Sequence, residues 1–339
     1  VEECLVKEVA VAGPTDQLPA HPQLPQTPLL SVIIPNWNGA HHLPTCLESL
    51  RRQTYTHFEV IVVDNASTDG SQALLARDYP AVQVVALAQN LGFAGGVNAG
   101  IRAARGELIV LLNNDTEADP NWLAELVRAL QAHPEAGLAA SKLRLFDRRD
   151  VLHSAGDLYR LDGIPDSRGV WQRDDGRFDN DRWVFSGCGG AVAYRRSMLD
   201  EIGLFDPDFY FNLEDVDLAW RAQLAGYRCI FAPAAIVYHK VSATGGGVVS
   251  SFYTGRNTIW VIAKNYPGSL LRRYWPRIVA AQIHIAWEAL RAWRGAAARA
   301  RLRGQMAGLL GIPRMLARRR AIQQSRRVSD AYLEKLLNG

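Results

Sequence analysis

Four short apolar runs mark the first third of the chain. They cover residues 29–34, 58–63, 82–87 and 108–112, and each reads as a strand buried on both faces. Helical patterns separate them over residues 43–52, 71–79 and 95–105. Strands alternating with helices predict βαβ units and a parallel sheet. Another helix is expected over 121–131. Residues 147–182 are rich in Asp, Gly and Arg and predict loops with a hairpin. The stretch Ser186-Gly187-Cys188-Gly189-Gly190 needs room or unusual backbone angles. Residues 213–225 read as a helix, with Leu213, Val216, Trp220 and Leu224 on one face and Gly226 just past its end. An apolar run follows over 230–238, and residues 251–264, 270–294 and onward to about 324 read as helices. Pro14, Pro19, Pro22, Pro25 and Pro28 mark an extended linker. The expected organisation is an arm over 1–28, an α/β domain over 29–248 and a helical C-terminal region over 249–339, with no internal repeat.

Composition excludes several classes. The 339 residues are 48% hydrophobic and 21% charged, which supports a core and argues against disorder or a collagen-like chain. Cys4, Cys46, Cys188 and Cys229 lie far apart, so a zinc module or a disulfide scaffold is not expected and a reducing, cytosolic compartment is. Residues 1–12 lack the basic-then-apolar pattern of a signal peptide. The net charge of +4 hides an asymmetry: residues 1–217 carry 18 Lys/Arg against 31 Asp/Glu, and residues 218–339 carry 20 against 3. A basic end on an acidic body predicts an anionic partner there.

Open parallel sheets bind ligands beyond the carboxyl ends of their strands. Those ends are polar here: Pro35 to Asn38, Asp64 to Asp69, Asn90 to Asn98, and Asn113-Asn114-Asp115. Asp115, directly after a strand, is placed to bind a divalent metal that also holds a diphosphate, although Asn and Asp also simply favour turns. Asp64 is placed to meet a base or ribose, and Asp69 to cap the next helix. Gly92, Gly95 and Gly96 resemble a phosphate cradle but match neither GxGxxG nor a P-loop, and close packing of a helix explains them equally well. Glu214, Asp215 and Asp217 lie in a first helical turn, which the helix dipole favours. Three carboxylates so close repel unless a cation or proton intervenes, and Asp215 or Glu214 is a candidate general base. His239, at a strand end before a Gly-rich loop over 242–247, is a candidate metal ligand.

Five stretches together resemble the inverting family 2 glycosyltransferases of the GT-A fold. They are Ser31-Val-Ile-Ile-Pro-Asn-Trp-Asn38, Val62-Val-Asp-Asn-Ala-Ser-Thr-Asp69, Asn90-Leu-Gly-Phe-Ala-Gly-Gly-Val-Asn98, Leu111-Leu-Asn-Asn-Asp115 and Phe211-Asn-Leu-Glu-Asp-Val-Asp-Leu-Ala-Trp-Arg221. They occur in the family's order over about residues 29–245, and their wording is most similar to the rhamnosyltransferase-like branch. The resemblance implies a Rossmann-like, mostly parallel central sheet flanked by helices. It implies nucleotide-sugar contacts at Pro35, Asn38, Asp64, Asn98, Asn114 and Asp115. Asn113 to Asp115 occupies the DxD position, with Asn in place of the first Asp. Glu214-Asp215 falls on the ED motif, where the Asp is the usual base. Asp115 and His239 would hold Mg²⁺ or Mn²⁺, and Arg221 or the metal would offset Glu214 and Asp217. The implied reaction moves a sugar from a nucleotide-diphosphate sugar, first guess dTDP-rhamnose, to a hydroxyl of a glycan or lipid-linked acceptor in cell-surface polysaccharide synthesis. A sugar-phosphate nucleotidyltransferase and an inactive nucleotide-sugar-binding scaffold are the alternatives. The first lacks its Gly-rich activation loop, and the intact Asp115, Asp215 and His239 argue against the second.

The C-terminal region adds a partner. Residues 291–327 carry 11 Arg and no acid, with Trp275, Trp287 and Trp293 close by. The most apolar stretch, 278–290, contains Gln282, His284 and Glu288, short of the roughly 20 apolar residues a spanning helix needs. Arg and Trp on amphipathic helices suit an anionic membrane surface, which implies peripheral placement at the inner face of the cell membrane. RNA is a weaker alternative without a supporting signature, so no nucleic acid is expected. An oligomer-forming helix is a third possibility, and Arg256 is placed as a flexible cation for the diphosphate.

Overall fold

A computed structural model describes residues 22–241 and 247–338. Most of the arm, residues 1–21, and most of the Gly-rich loop, residues 242–246, lie outside the described residues. The first half follows the hydrophobic pattern closely. Strands β1 (Leu30–Asn36), β2 (Phe58–Asp64), β3 (Gln83–Ala86) and β4 (Leu108–Leu112) alternate with helices α1 (Leu43–Arg51), α2 (Ser71–Asp78) and α3 (Gly92–Ala103). β1 pairs in parallel with β2 and β4, and β2 in parallel with β3. All five residues of β4 are buried, as a central parallel strand requires. β3 departs from the expected double burial. It forms the sheet edge, and Gln83, Val84 and Ala86 are exposed.

The second half turns the sheet mixed. It contains β5 (Thr116–Ala118), α4 (Trp122–Ala132), β6 (Ala136–Leu145), β7 (Leu152–Ser154), β8 (Asp157–Tyr159), β9 (Pro165–Ser167), β10 (Trp183–Val184), β11 (Ala191–Arg195), α5 (Arg196–Ile202), α6 (Glu214–Leu224) and β12 (Arg228–His239). The main sheet runs β10-β12-β6-β11-β4-β1-β2-β3, with β11 antiparallel to both neighbours. β6 has no counterpart in the hydrophobic pattern. Its small residues give no strand signal, and Lys142 sits where an apolar residue would be expected. The charge is buried because Asp174 and Asp179 meet the ammonium at 3.1 and 2.7 Å.

Apolar layers cover both sheet faces. One gathers Leu43, Leu47, Trp122 and Leu126 from α1 and α4. The other gathers Val97, Ile101, Met198 and Leu218 from α3, α5 and α6. Gly100 lets α3 lie close, because a Cβ there would meet Ile33 Cγ2 at 2.5 Å and Val63 Cγ2 at 2.9 Å. A third cluster joins the C-terminal helices α7 (Val248–Asn265), α8 (Gly268–Arg291), α10 (Ile312–Gln324) and α11 (Asp330–Leu337) to the sheet domain, and α9 (Ala296–Leu310) packs on α7. Tyr159, Phe185 and Trp220 pack there with Trp260, Tyr266, Met315 and Leu333. The helices beyond 249 therefore share a core with the α/β part.

Candidate active site

At the carboxyl ends of β1 and β4 lies a cavity of about 1130 Å³, walled by Pro35, Asn114, Asp115, Gly189, Glu214, Asp215 and His239 among others. Strand pairing sets its first polar pair. β5 runs antiparallel to β12 and places Thr116 opposite His239, so the preceding Asp115 meets the imidazole. His239 Nε2 lies 3.1 Å from Asp115 Oδ1, and His239 Nδ1 lies 3.1 Å from His153 Nδ1. Burial opposes ionisation of Asp115. The hydrogen bond and charge of His239, with the charge of His42, outweigh it and hold the carboxyl below its ordinary range. Burial, then His239, lowers His153 to about 4, so it is neutral near pH 7. His42 is buried with neither ring nitrogen hydrogen-bonded. Among the described residues, no group of three or more His, Cys, Asp or Glu is arranged to hold a metal by itself. Asp115 and His239 offer an ionised carboxylate and an imidazole. These fit a divalent cation whose other positions come from a ligand's oxygens and water.

The second polar group sits at the start of α6. Tyr210, Asn212 and Leu213 have φ of 63°, 62° and 65°, so the turn entering the helix is strained. Helix α7 holds it. The Asn257 amide donates to the carbonyls of Phe209, Phe211 and Asn212, and the Asn212 amide donates to Ser250 Oγ and Thr254 Oγ1. The first turn of α6 is thereby aimed at the cavity. Asp215 Oδ2 accepts from the Gly189 N–H and Oδ1 from the Val216 N–H, both at 2.8 Å. Burial raises its pKa against the pull of those bonds. Glu214 is buried, its Oε2 has no partner, and burial followed by the Asp215 charge raises it further. Burial thus opposes charge on Glu214, whose Oε2 is unpaired, while on Asp215 each oxygen accepts a backbone N–H that favours the charged form.

Asp217 belongs elsewhere. It is fully buried and meets Lys264 Nζ at 2.7 Å, Asn265 Nδ2 at 2.8 Å and Arg221 Nε at 3.1 Å. Burial pushes its pKa up, and the Lys264 and Arg221 charges more than reverse this. The expected relief of Glu214 by Arg221 is not what the structure holds. That guanidinium binds Asp217 and the carbonyls of Ile202, Gly203 and Leu204.

Of the nucleotide-sugar candidates, Pro35, Asn114 and Asp115 reach the cavity wall, and Asn114 Nδ2 donates to Asn36 Oδ1 at 2.7 Å. The wall formed by the described residues leaves out Asn38, Asp64, Asn98 and Arg256. Each is committed to the protein. Asn38, at φ 50°, accepts from the Thr68 N–H. Asp64 accepts from Gln72, Ser67 and Asn36. Asn98 both donates to and accepts from the Phe205 backbone, a strut 107 residues long in sequence. Arg256 is not a free cation. It donates to the carbonyls of Asp208 and Phe209 at 2.8 Å and lies against the Tyr253 and Trp260 rings. The cation in the wall is Arg303 of α9. Asp69 does not cap α2: the N-cap is Gly70, and Asp69 before it accepts from Ser71 N and Oγ and from the Ala40 N–H. Gly92 (φ 72°) is packed against the Tyr210 carbonyl. Asp157, also in the wall, carried no sequence signal.

The mixed sheet with its α/β repeats is of the GT-A type, and it carries an acidic–imidazole pair beyond β4 and carboxylates at the start of α6. The chain belongs to glycosyl transferase family 2, whose family model matches residues 31–203. It is 32% identical over 229 residues to the O-antigen biosynthesis protein RfbC of Myxococcus xanthus, covering 64% of this chain and 18% of that protein. It is 28% identical over 243 residues to the N-acetylglucosaminyl-diphospho-decaprenol L-rhamnosyltransferase of Mycobacterium tuberculosis, covering 65% of this chain and 78% of that protein. The chain thus spans as little as 18% of a curated relative's length. In fold it is similar to the mannosyltransferase PcManGT from Pyrobaculum calidifontis, solved with GDP-Man and Mn²⁺. That match has a TM-score of 0.54 at 20% identity and covers 95% of this chain and 87% of that one.

Proposed function

We propose that the chain is an inverting transferase that moves a sugar from a nucleotide-diphosphate donor to a hydroxyl acceptor. One observation carries the reading: Asp215 and the Asp115–His239 pair face the same cavity from opposite elements. The donor's nucleotide lies along Pro35 and Asn114, with its diphosphate toward Asp115. Asp115 and His239 would hold a divalent cation, Mg²⁺ or Mn²⁺, which would supply positive charge for the departing diphosphate. Asp215 takes the proton from the acceptor hydroxyl as that oxygen attacks the anomeric carbon. The Gly189 N–H and the Val216 N–H fix the carboxylate's direction and favour its charged form. Attack opposite the leaving group inverts the configuration without a covalent intermediate.

The relatives named as an L-rhamnosyltransferase and an O-antigen biosynthesis protein support a rhamnosyl donor, for which dTDP-rhamnose is our candidate, and a glycan or lipid-linked acceptor in surface polysaccharide synthesis. A lipid-linked acceptor calls for contact with a membrane. No helix of the described residues is long and apolar enough to cross one. Helix α8 exposes Trp275, Val279, Ile283 and Trp287 at four-residue spacing, with exposed Arg272, Arg277 and Arg291 on the same helix. Apolar side chains among guanidinium groups suit an anionic bilayer surface, with the enzyme peripheral at the inner face of the cell membrane.

The test is Asp215→Asn in a transfer assay with a panel of sugar nucleotides. Turnover should fall by about 10²–10⁴, while calorimetric donor affinity stays within a few-fold. Undiminished turnover refutes the base.

A further inference from the structure

The β8–β9 hairpin brings a further carboxylate into the cavity wall, and the transfer chemistry gives it no task. Asp157 opens β8 and is buried except toward the cavity. Its backbone is clamped. Its N–H donates to the Ser186 carbonyl at 2.8 Å, and its carbonyl accepts from the Phe185 N–H at 3.1 Å. Its Oδ1 accepts two hydroxyls, Ser154 Oγ and Ser167 Oγ, each at 2.9 Å. Among the described residues no hydrogen bond reaches Oδ2. Asp166 and Ser167 line the cavity beside it.

A buried carboxylate with one oxygen doubly satisfied and the other open is an acceptor held in place for an incoming donor. Polar side chains such as Asn113, Asn114 and Arg303 share this wall with apolar ones such as Phe211 and Tyr253, a mixture that suits a sugar ring with its hydroxyls and C–H faces. We propose that Asp157 Oδ2 binds a hydroxyl of a substrate's sugar ring, so that Ser154, Asp157 and Ser167 form a sugar-recognition element of this cavity. This rests on the glycosyl-transfer reading above. The titratable groups around Asp157 are Asp215 of α6, Asp166 of β9 and the thiols of Cys188 and Cys229. Burial first, then the Asp215 charge, pushes the Asp157 carboxyl up to about 7, against the pull of the two seryl hydroxyls. Near neutrality the ionised form accepts from a sugar hydroxyl and the protonated form donates to its oxygen. A hydroxyl can serve either way, whereas a methyl or a hydrogen in its place can serve neither.

The hydroxyl belongs to the donor's sugar or to the acceptor's, and the two are separable. The probes are dTDP, UDP, dTDP-rhamnose and a set of UDP-hexoses, with calorimetry and steady-state transfer on the full chain. Asp157→Ala should weaken the sugar nucleotide roughly 10- to 100-fold and leave the bare nucleotide diphosphate unchanged if the donor is read. It should instead raise acceptor KM by a similar factor, with donor affinity unchanged, if the acceptor is read. A deoxy analogue lacking the contacted hydroxyl should lose affinity with the wild type and lose nothing further with Asp157→Ala, a coupling that a purely structural role does not produce. Ser167→Ala removes one strut and should give the same pattern several-fold weaker, which serves if Asp157→Ala does not fold. Affinities and acceptor KM all within twofold of wild type, in folded variants, overturn the proposal while leaving glycosyl transfer standing. If the wild type binds no sugar nucleotide, the transfer reading falls and the subsite falls with it.

Discussion

Replacing Lys264 by Met separates the structural acid of α6, Asp217, from the proposed base, Asp215. Lys264 Nζ lies 2.7 Å from Asp206 Oδ2 and 2.7 Å from Asp217 Oδ1, and the three side chains are 4%, 7% and 0% exposed. At an effective dielectric near 20, each contact is worth about 6 kcal/mol of Coulomb attraction before desolvation. The net is smaller, because all three charges left water to form it. Removing one partner of a buried pair costs about 3–5 kcal/mol. Asp217 keeps Arg221 and Asn265, and Asp206 keeps Arg318, so the low end is the expectation, about 3 kcal/mol. The assay is urea unfolding followed by tryptophan fluorescence. Both acids have pKa values held below the ordinary carboxylate range in the folded protein, Asp206 by Arg318 and Lys264 and Asp217 by Lys264 and Arg221, each against burial. Depressed folded-state values give stability that is present above the unfolded pKa and lost as pH falls through the folded one. The Met variant should therefore trail the wild type most at pH 6–7 and least in acid. Lys264→Met with Asp217→Asn should recover at least about 1 kcal/mol. A cost under about 1 kcal/mol at pH 7, with the acid dependence unchanged, refutes the view that α7 neutralises this acid.

Two further outcomes test the site and the surface. A Cβ at Gly189 would stand 3.1 Å from Asp215 Oδ2, so Gly189→Ala should displace the carboxylate it orients and lower turnover about tenfold while the thermal midpoint moves little; turnover equal to wild type counts against that positioning. Trp275→Ala with Trp287→Ala should weaken sedimentation with anionic vesicles by about tenfold and leave transfer to a soluble acceptor unchanged; equal sedimentation removes α8 as the docking face.

The pattern of the chain made the parallel half legible because β1, β2 and β4 are runs of Val, Ile and Leu whose burial is the cause of their pairing. It failed at β6, where Lys142 is buried only because Asp174 and Asp179 arrive from a loop more than 30 residues away. The site divides in the same manner. Asp115, His239 and Asp215 were readable because each directly follows or begins a periodic element, so local signals placed them at the sheet's edge. Asn98 and Arg256 stand in equally suggestive positions. What decides their use is long-range: Phe205 takes both ends of the Asn98 amide, and the 208–209 carbonyls take Arg256. Asp157 is the converse case, since neither a periodic element nor a family motif points to it. Ser154 lies three residues before it, but Ser167 reaches it through the pairing of β8 with β9, and Asp215 comes from α6, far along the chain. The same long-range contacts tie the C-terminal helices to catalysis. Asn257 fixes the strained turn that aims Asp215, and Arg303 of α9 stands in the cavity wall. Helix α8 packs on α9, α9 on α7 and α7 on α6, so a change at the outer face of α8 has a packed route to the carboxylate that the transfer reading makes its base. Contact with a membrane there has a physical route to the site that a separately folded tail would lack.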